Sequence, residues 1–368
     1  MGAFTQLDTF PSDPSFRNYF LIAHAGELSP HSRTSLLFDD KPWPIKPEIC
    51  LEGGNVLLDE QGFPETKHPL LSLRSTGNKN DVDLTSANAT SAATAQAARL
   101  AALTMSRYPS YWPETVRALL VHEARWTRPM QERLDAYGKK KGERARLLRR
   151  YGWGVPTEEA VLTSSHRAVT MVVQDEFHPF DETYAMRELR LHALPWPRDV
   201  LQSLGEADVR LRITLSYFIE PSATRRGWKG KYTYASYGLR FDLKASTDIT
   251  VKRFLARVNR QAQEEEDEAY SSSENHSKHW LLGTRARHYG SLHQDDWQGT
   301  GAELAACDHI AVYPVGGWWK NNRRRDRRDL PVRYALLVSL STSAQGADLY
   351  TPIAAQLSVP VTPVPIDV

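Results

Sequence analysis

The chain has 368 residues, of which 46 are Lys or Arg and 44 are Asp or Glu, so its formal net charge is +2. With 41% hydrophobic and 24% charged residues, it has the composition of a folded protein rather than of a disordered chain. A nearly neutral chain lacks the broad basic field that non-specific nucleic-acid binding needs, and no stretch approaches the roughly 18 apolar residues that span a membrane. The length predicts about two domains, at roughly 150 residues each.

The cysteines and the first apolar stretch bear on the cellular compartment. Cys50 and Cys307 lie far apart in sequence and predict two reduced, buried thiols rather than a disulfide framework. Residues 19–25 form a short apolar run with no basic segment before it and no cleavage-like site after it, unlike a secretory signal. We therefore expect a cytoplasmic protein with no membrane partner.

The chain changes in texture near residue 90. Earlier residues are rich in Pro, Gly and Ser, which predicts loops, short strands and a tight turn at residues 52–55. From Ser91 the chain is rich in alanine, which predicts a helix that a sheet buries and that is apolar all round. The residues expected to be buried are Ala92, Ala93, Ala97, Ala98, Leu100, Ala101 and Leu103. A second helix is predicted to begin at Pro113, and a third, basic helix to cover residues 131–150.

After about residue 160 the apolar period changes from that of a helix to that of a strand. Residues 209–219 alternate apolar with polar side chains, and residues 235–243 and 334–340 repeat the pattern. Such strands favour an antiparallel β-sandwich, with one helix predicted within residues 248–268. We expect an α/β domain over residues 1–160 and a β-sandwich domain over residues 161–368. Leu211, Ile213, Leu215 and Tyr217 are expected to face inward.

Ser91 is the first candidate for chemistry, because it lies at a predicted junction between a loop and a helix. The free N–H groups of a first helical turn can bind an oxyanion, and the neighbours Ala92 and Ala93 leave room for a substrate. The alternative is that Thr90 or Ser91 only caps the helix, which is the common role of these residue types.

The surrounding sequence favours the first interpretation. Residues 89–95 (ATSAATA) resemble the Gly-Thr-Ser-x-Ala-x-Pro nucleophile motif of subtilisin-like serine peptidases, the subtilases. Residues 28–34, 45–55, 113–120 and 151–156 resemble, in the same order, other landmarks of that family's C-terminal half. The resemblance implies an α/β fold and hydrolysis of polypeptides through an acyl-enzyme on Ser91.

Departures from the family pattern limit what carries over. Ala89 replaces the usual Gly, and its methyl group is expected near the substrate cleft. Ala95 replaces the usual Pro. The sequence contains no Asp-Ser/Thr-Gly and no His-Gly-Thr motif, and Met1 aligns with a strand that follows the family's oxyanion Asn. The chain is therefore expected to be the C-terminal part of a subtilase, inactive alone, with the Asp, His and Asn supplied by a separate N-terminal segment.

Other residues favour structural roles. Among the nearby histidines, His24, His31, His68 and His122, only His31 lies in a segment that runs near the family's specificity cleft. His122 and Glu123 begin a zinc-like motif, but Trp126 replaces its second histidine. His276 and His279 lack a third ligand nearby, so we expect no metal and no cofactor. The remaining candidates are the basic clusters at 139–150 and 323–328, expected to be solvated, and the tryptophan segments at 297–301 and 313–319.

The tryptophan segments leave two interpretations open. Paired tryptophans after a glycine turn either stack on a ligand or plug the end of a β-sandwich core, and the core is the commoner role. Both segments also resemble the C-terminal domain of a large intracellular bacterial subtilase subgroup. That resemblance implies an AAA-type ATPase as a candidate partner. The alternative to a peptidase is a catalytically inactive binding module derived from one.

Overall fold

A computed structural model of the chain describes residues 1–39, 43–79, 82–138, 140–163, 170–181, 185–196, 198–222, 234–266, 278–320, 327, 330–342 and 361–365. These residues form two compact units. The first, here called the α/β unit, comprises Met1–Ser110 and Leu119–Thr163. The second, the β unit, comprises Tyr111–Ala118 and the described part of residues 164–368. The domain boundary expected between residues 160 and 161 stays a prediction.

The described part of residues 1–163 contains short strands and five α-helices. The strands are β1 (Gly2–Phe4), β2 (Phe20–Leu21), β3 (Cys50–Glu52), β4 (Leu57–Leu58), β5 (Pro64–Glu65), β6 (Leu73–Lys79) and β7 (Val82–Ala87). The helices are α1 (Ala89–Arg107), α2 (Pro113–His122), α3 (Arg128–Tyr137), α4 (Lys141–Tyr151) and α5 (Glu158–Thr163). β1 and β3 pair in parallel, β2, β4 and β5 form a small antiparallel sheet, and β6 and β7 form a hairpin.

The predicted alanine-rich helix forms as α1, but the expectation that it is a buried helix, apolar all round, is only partly confirmed. Of the seven residues expected to be buried, Ala93 and Leu100 are buried and Ala98 is exposed, and the other four are half-buried. The helix has an exposed side, on which Ala95 and Ala102 also lie. The described sheet on which α1 packs has only the two strands β1 and β3, which are too narrow to cover a helix on every side.

The predicted basic helix over residues 131–150 is two helices, α3 and α4. Gly138 ends α3, and a side chain there would come within 2.5 Å of the Leu134 carbonyl oxygen. Arg149 is buried, and its guanidinium donates hydrogen bonds to the Trp43 carbonyl (3.0 Å) and Ser35 Oγ (3.4 Å). Arg149 of the basic cluster at 139–150 is therefore buried and hydrogen-bonded within the fold rather than solvated. Lys139 of the same cluster lies outside the described residues.

The β unit contains eight strands and three short helices besides one long one, within the part of residues 164–368 that the structure describes. The strands are β8 (Thr170–Phe177), β9 (Glu188–Ala193), β10 (Asp208–Tyr217), β11 (Gly238–Leu243), β12 (Leu292–Thr300), β13 (His309–Val315), β14 (Val332–Thr342) and β15 (Val361–Pro365). The helices are α6 (Arg198–Ser203), α7 (Val251–Glu266), α8 (Thr284–Arg287) and α9 (Gly301–Leu304).

Two antiparallel sheets share one hydrophobic core in the β unit. Their strand orders are β12-β10-β14-β8 and β11-β13-β9-β15. Leu211, Ile213, Leu215 and Tyr217 are buried in that core, which confirms their expected inward orientation. The predicted order of an α/β region followed by a mainly antiparallel β region is therefore confirmed.

The alternation along β10 predicted one buried face, but both faces are buried. Arg212, Thr214 and Ser216 are also inaccessible to solvent. Asp296 of the neighbouring strand β12 accepts a hydrogen bond from Arg212 Nε at 2.8 Å, so the buried guanidinium has a carboxylate partner.

No helix among the described residues is long and apolar enough to cross a bilayer.

Candidate functional site around Ser91

Ser91 lies in the first turn of α1, and its side chain is exposed. Two residues earlier, the Ala89 backbone has φ +67°, in the left-handed region that favours glycine. The Ala89 N–H donates to the Gly53 carbonyl oxygen at 2.8 Å. Ala89 therefore holds a backbone conformation that costs an alanine about 1 kcal/mol, and it connects the glycine turn to the helix.

The helix cap lies one residue before this strained position. Asn88 is the N-cap residue, so the alternative in which Thr90 or Ser91 caps the helix is wrong. Asn88 does not cap with its side chain either, because its Nδ2 donates to the Thr66 carbonyl (2.6 Å) and to Ser72 Oγ (3.1 Å). No side-chain cap thus occupies the first N–H groups of α1. Within the described ranges, Ser91 Oγ has no hydrogen-bond partner.

The glycine turn at residues 52–55 supports the start of α1. A side chain on Gly53 would place its Cβ 2.4 Å from Ala3 Cβ, and one on Gly54 (φ +81°) would lie 2.5 Å from Asn88 Oδ1. Gln96 of α1 donates from Nε2 to the Glu52 carbonyl at 2.8 Å. Only glycine fits at these two positions, and this close approach fixes the backbone beside Asn88 and Ala89.

His31 is connected to the same turn. Its backbone N–H donates to Ser29 Oγ (3.2 Å), and Ser29 Oγ donates to the Gly54 carbonyl (2.6 Å). The imidazole is half-buried, which lowers its pKa, and its Nε2 has no hydrogen-bond partner in the described part of the chain. The structure thus places His31 in the loops beside the N-terminus of α1, and its contact with substrate stays a prediction.

None of the other three histidines considered in the α/β region is hydrogen-bonded to Ser91. His24 is exposed, His68 Nδ1 accepts from the Leu70 N–H at 3.3 Å, and His122 is fully buried at the end of α2. Among the residues that the structure describes, no imidazole or carboxylate is hydrogen-bonded to Ser91. The site therefore has an exposed hydroxyl at a helix N-terminus. No side chain among the described residues that could act as a base is hydrogen-bonded to this hydroxyl.

Among the described residues, no three His, Cys, Asp or Glu side chains are grouped so that they could hold a metal ion. Trp126, at the position of the missing zinc ligand, donates from Nε1 to the Gly152 carbonyl at 3.0 Å. His279 stacks on Trp297 with ring centroids 4.9 Å apart. His276 lies outside the described residues.

The tryptophan segments belong to the core of the β unit. Trp297 and Trp319 are buried, and Trp318 packs against the same core. The indole N–H groups of Trp318 and Trp319 donate to the Glu220 carbonyl (2.8 Å) and Glu220 Oε2 (3.0 Å), so burial leaves neither donor unpaired. These contacts confirm the core interpretation. Of the basic cluster at 323–328, the structure describes Arg327, which also pairs with Glu220 at 3.1 Å.

Two features of the site were missed at the level of sequence. The left-handed conformation of Ala89 could have been inferred from the sequence, because the subtilase nucleophile motif that residues 89–95 resemble has Gly at this position. The connection of Asn88 to Thr66 and Ser72 had none, because its partners lie 22 and 16 residues away in sequence.

The comparisons with known proteins concern this same region. The model of the Subtilase family matches residues 1–154, a segment that contains Ser91, the glycine turn and the whole of α1. No curated protein matches the chain. The match ends before the described strands of the β unit begin, so the resemblance of the β unit to known C-terminal domains stays a prediction.

Proposed function

We propose that Ser91 is the nucleophile of a peptidase that cleaves polypeptides through an acyl-enzyme, because residues 1–154 match the model of the Subtilase family. The observation that carries this proposal is the state of Ser91. It is exposed, free of hydrogen bonds among the described residues, and placed at a helix N-terminus that no side chain caps. The first-turn N–H groups of α1 are suited to stabilise the oxyanion that forms when Ser91 attacks a carbonyl.

A serine hydroxyl is a poor nucleophile without a base, and the described residues join none to Ser91. We propose that a separate segment supplies the histidine, the aspartate and the oxyanion asparagine, either covalently or as a second chain. The exposed side of α1 offers a face for it, with the small residues Ala95, Ala98 and Ala102 in line and Met105 53% exposed at the end. The chain alone should then hydrolyse almost nothing, since loss of its histidine costs subtilisin about 10⁶ in turnover.

Labelling with a fluorophosphonate probe tests both parts. We expect negligible labelling of the chain alone and strong labelling when a second polypeptide carrying the subtilase Asp, His and Asn segments is added. Ser91→Ala should abolish the labelling. Ser106→Ala, on an exposed serine of the same helix, should not change it.

Two outcomes would contradict the proposal. Strong labelling of the isolated chain would show that no outside base is needed, and unchanged peptidase activity of the reconstituted Ser91→Ala protein would remove the nucleophile. Failure of every added segment would favour the alternative, an inactive binding module, which the unpartnered hydroxyl of Ser91 also permits.

Compartment and partner are proposals of the same kind. The reduced state expected of Cys50 and Cys307, both buried and free, supports a cytoplasmic protein. The resemblance to an intracellular subgroup supports an AAA-type ATPase as partner, and co-purification from the native host would test it.

A further inference from the structure

Apolar side chains of the α/β unit are exposed between Ser35 and Pro44. Leu37, in a turn of 3₁₀ helix over Leu36–Phe38, is 86% exposed, and Trp43 is 37% exposed. The rings of Phe38 and Trp43 stack with their centroids 4.9 Å apart. A single exposed leucine is ordinary on a protein surface, but one that adjoins an aromatic stack is typical of a binding site. We call Leu37, Phe38 and Trp43 the apolar cluster.

Helix α4 fixes the backbone on both sides of the apolar cluster. The buried Arg149 guanidinium donates to the carbonyl oxygens of Trp43 (3.0 Å) and Pro44 (3.4 Å). The Arg149 carbonyl oxygen accepts from the Ser35 N–H at 3.0 Å. These contacts leave the segment little conformational freedom to lose when a partner binds, so the apolar cluster is preorganised for binding.

The helix that holds the apolar cluster is strongly basic. α4 carries five Lys or Arg residues and one Glu. Arg146 lies beside the cluster, because its Nε pairs with Asp39 at 3.1 Å, and its side chain is 66% exposed. Arg150 follows one turn later on the same side of the helix and is exposed. Since Trp and Arg are enriched where proteins bind each other, an apolar cluster next to exposed arginines has the composition of an interface.

We propose that the apolar cluster, together with Arg146 and Arg150, is a docking surface for an acidic polypeptide segment that carries aliphatic side chains. Leu37 and the aromatic stack bury an aliphatic side chain of the segment, while the arginines attract and orient its carboxylates. A nucleic acid is less suited, because a leucine cannot pair with phosphate and Phe38 already covers one face of the Trp43 ring. The inference does not depend on the role proposed for Ser91.

Peptide binding tests the docking surface. The probe is a fluorescein-labelled glutamate peptide with leucine at every fourth position, and the protein is the full chain carrying Ser91→Ala, so that no cleavage interferes. The controls are a peptide with lysine in place of glutamate, a peptide with serine in place of leucine, and a single-stranded oligothymidylate. By fluorescence anisotropy we expect the probe to bind at least about tenfold more tightly than each control, and less tightly as the salt concentration rises. A smaller preference over any control, or no binding of the probe, would overturn the inference.

Leu37→Ala tests the apolar part of the surface. Because the side chain is largely exposed, its removal should leave the thermal unfolding midpoint unchanged but weaken peptide binding at least about tenfold. The matched control is Leu84→Ala, which shortens a leucine that is 59% exposed on the β6–β7 hairpin and should not change the affinity. Equal affinities of the two variants would overturn the inference.

Arg146→Gln tests the charged part. This variant should bind the peptide about threefold more weakly and with a smaller dependence on salt. The matched control is Arg99→Gln, which removes a similarly exposed charge (61% against 66%) that is likewise paired with one carboxylate. An equal effect of the two substitutions would mean that only net charge matters and would overturn the inference. Because every protein compared here carries Ser91→Ala, failure would leave the fluorophosphonate test of the nucleophile intact.

Discussion

The two units differ in how a few of their charged and polar side chains are partnered. In the β unit, buried charges are paired, as Arg212 is with Asp296 and as Arg257 is with Asp248 at 2.8 Å. At the start of α1, the side chain that could cap the helix is held by Thr66 and Ser72, and the Ser91 hydroxyl is left without a partner among the described residues. In the β unit these buried charges have partners within the unit, whereas the start of α1 presents an exposed hydroxyl where chemistry is proposed.

The largest expected effect comes from unpairing a buried charge in the β unit. Asp296→Ala leaves Arg212 buried, with a side chain 6% exposed, and should lower the free energy of unfolding by about 3–5 kcal/mol. The matched control is Glu158→Ala, which breaks the exposed Arg99–Glu158 pair of the α/β unit and should cost at most about 1 kcal/mol. Urea denaturation of both variants measures the difference. Similar losses in the two would erase the contrast between the units.

Acidification should act through the same carboxylate. The neighbouring guanidinium groups of Arg212 and Arg210 outweigh burial and hold the pKa of Asp296 well below its ordinary value of 3.8. Because the pKa of Asp296 is depressed in the folded state, its carboxylate stabilises the fold at pH values above the pKa that it has in the unfolded chain. This stabilisation is lost as the pH falls from the unfolded-state pKa towards the folded-state pKa. The urea concentration at the unfolding midpoint should therefore decrease as the pH is lowered below about 4. It should decrease less steeply in Asp296→Asn. Equal slopes in the two proteins would assign the acid sensitivity to other groups.

The smallest effect concerns the backbone before Ser91. Ala89→Gly should raise the free energy of unfolding by about 1 kcal/mol, because glycine adopts a positive φ without steric cost. Ala98→Gly, at an exposed position in the middle of the same helix, should lower it by about 1 kcal/mol. Thermal unfolding distinguishes the two signs. Destabilisation by both substitutions would mean that Ala89 is not strained.

How far the sequence could predict these features depends on the distance of the contacts involved. Alternation within residues 209–219 was enough to place β10 and its inward side chains. Burial of its second face could not be predicted, because it depends on Asp296, more than 80 residues further along the chain. Composition likewise predicted helix α1 but not its exposed side, which depends on how many strands lie beneath it.

The candidate site follows the same rule. Local motif resemblance identified Ser91, and the glycine turn at residues 52–55 was visible as a turn. The hydrogen bond between that turn and Ala89 joins segments more than 30 residues apart, and no periodicity in the sequence encodes it.

That hydrogen bond also bears on how the chain can change over time. The Ala89 N–H and the Gly53 carbonyl close a loop that contains β4, β5, β6 and β7, so the two ends of this loop are fixed next to each other. Doubling the length of a flexible loop costs only about 0.6 kcal/mol of closure entropy. The hairpin can therefore lengthen, shorten or be exchanged as a module while Ser91 keeps its place at the start of α1.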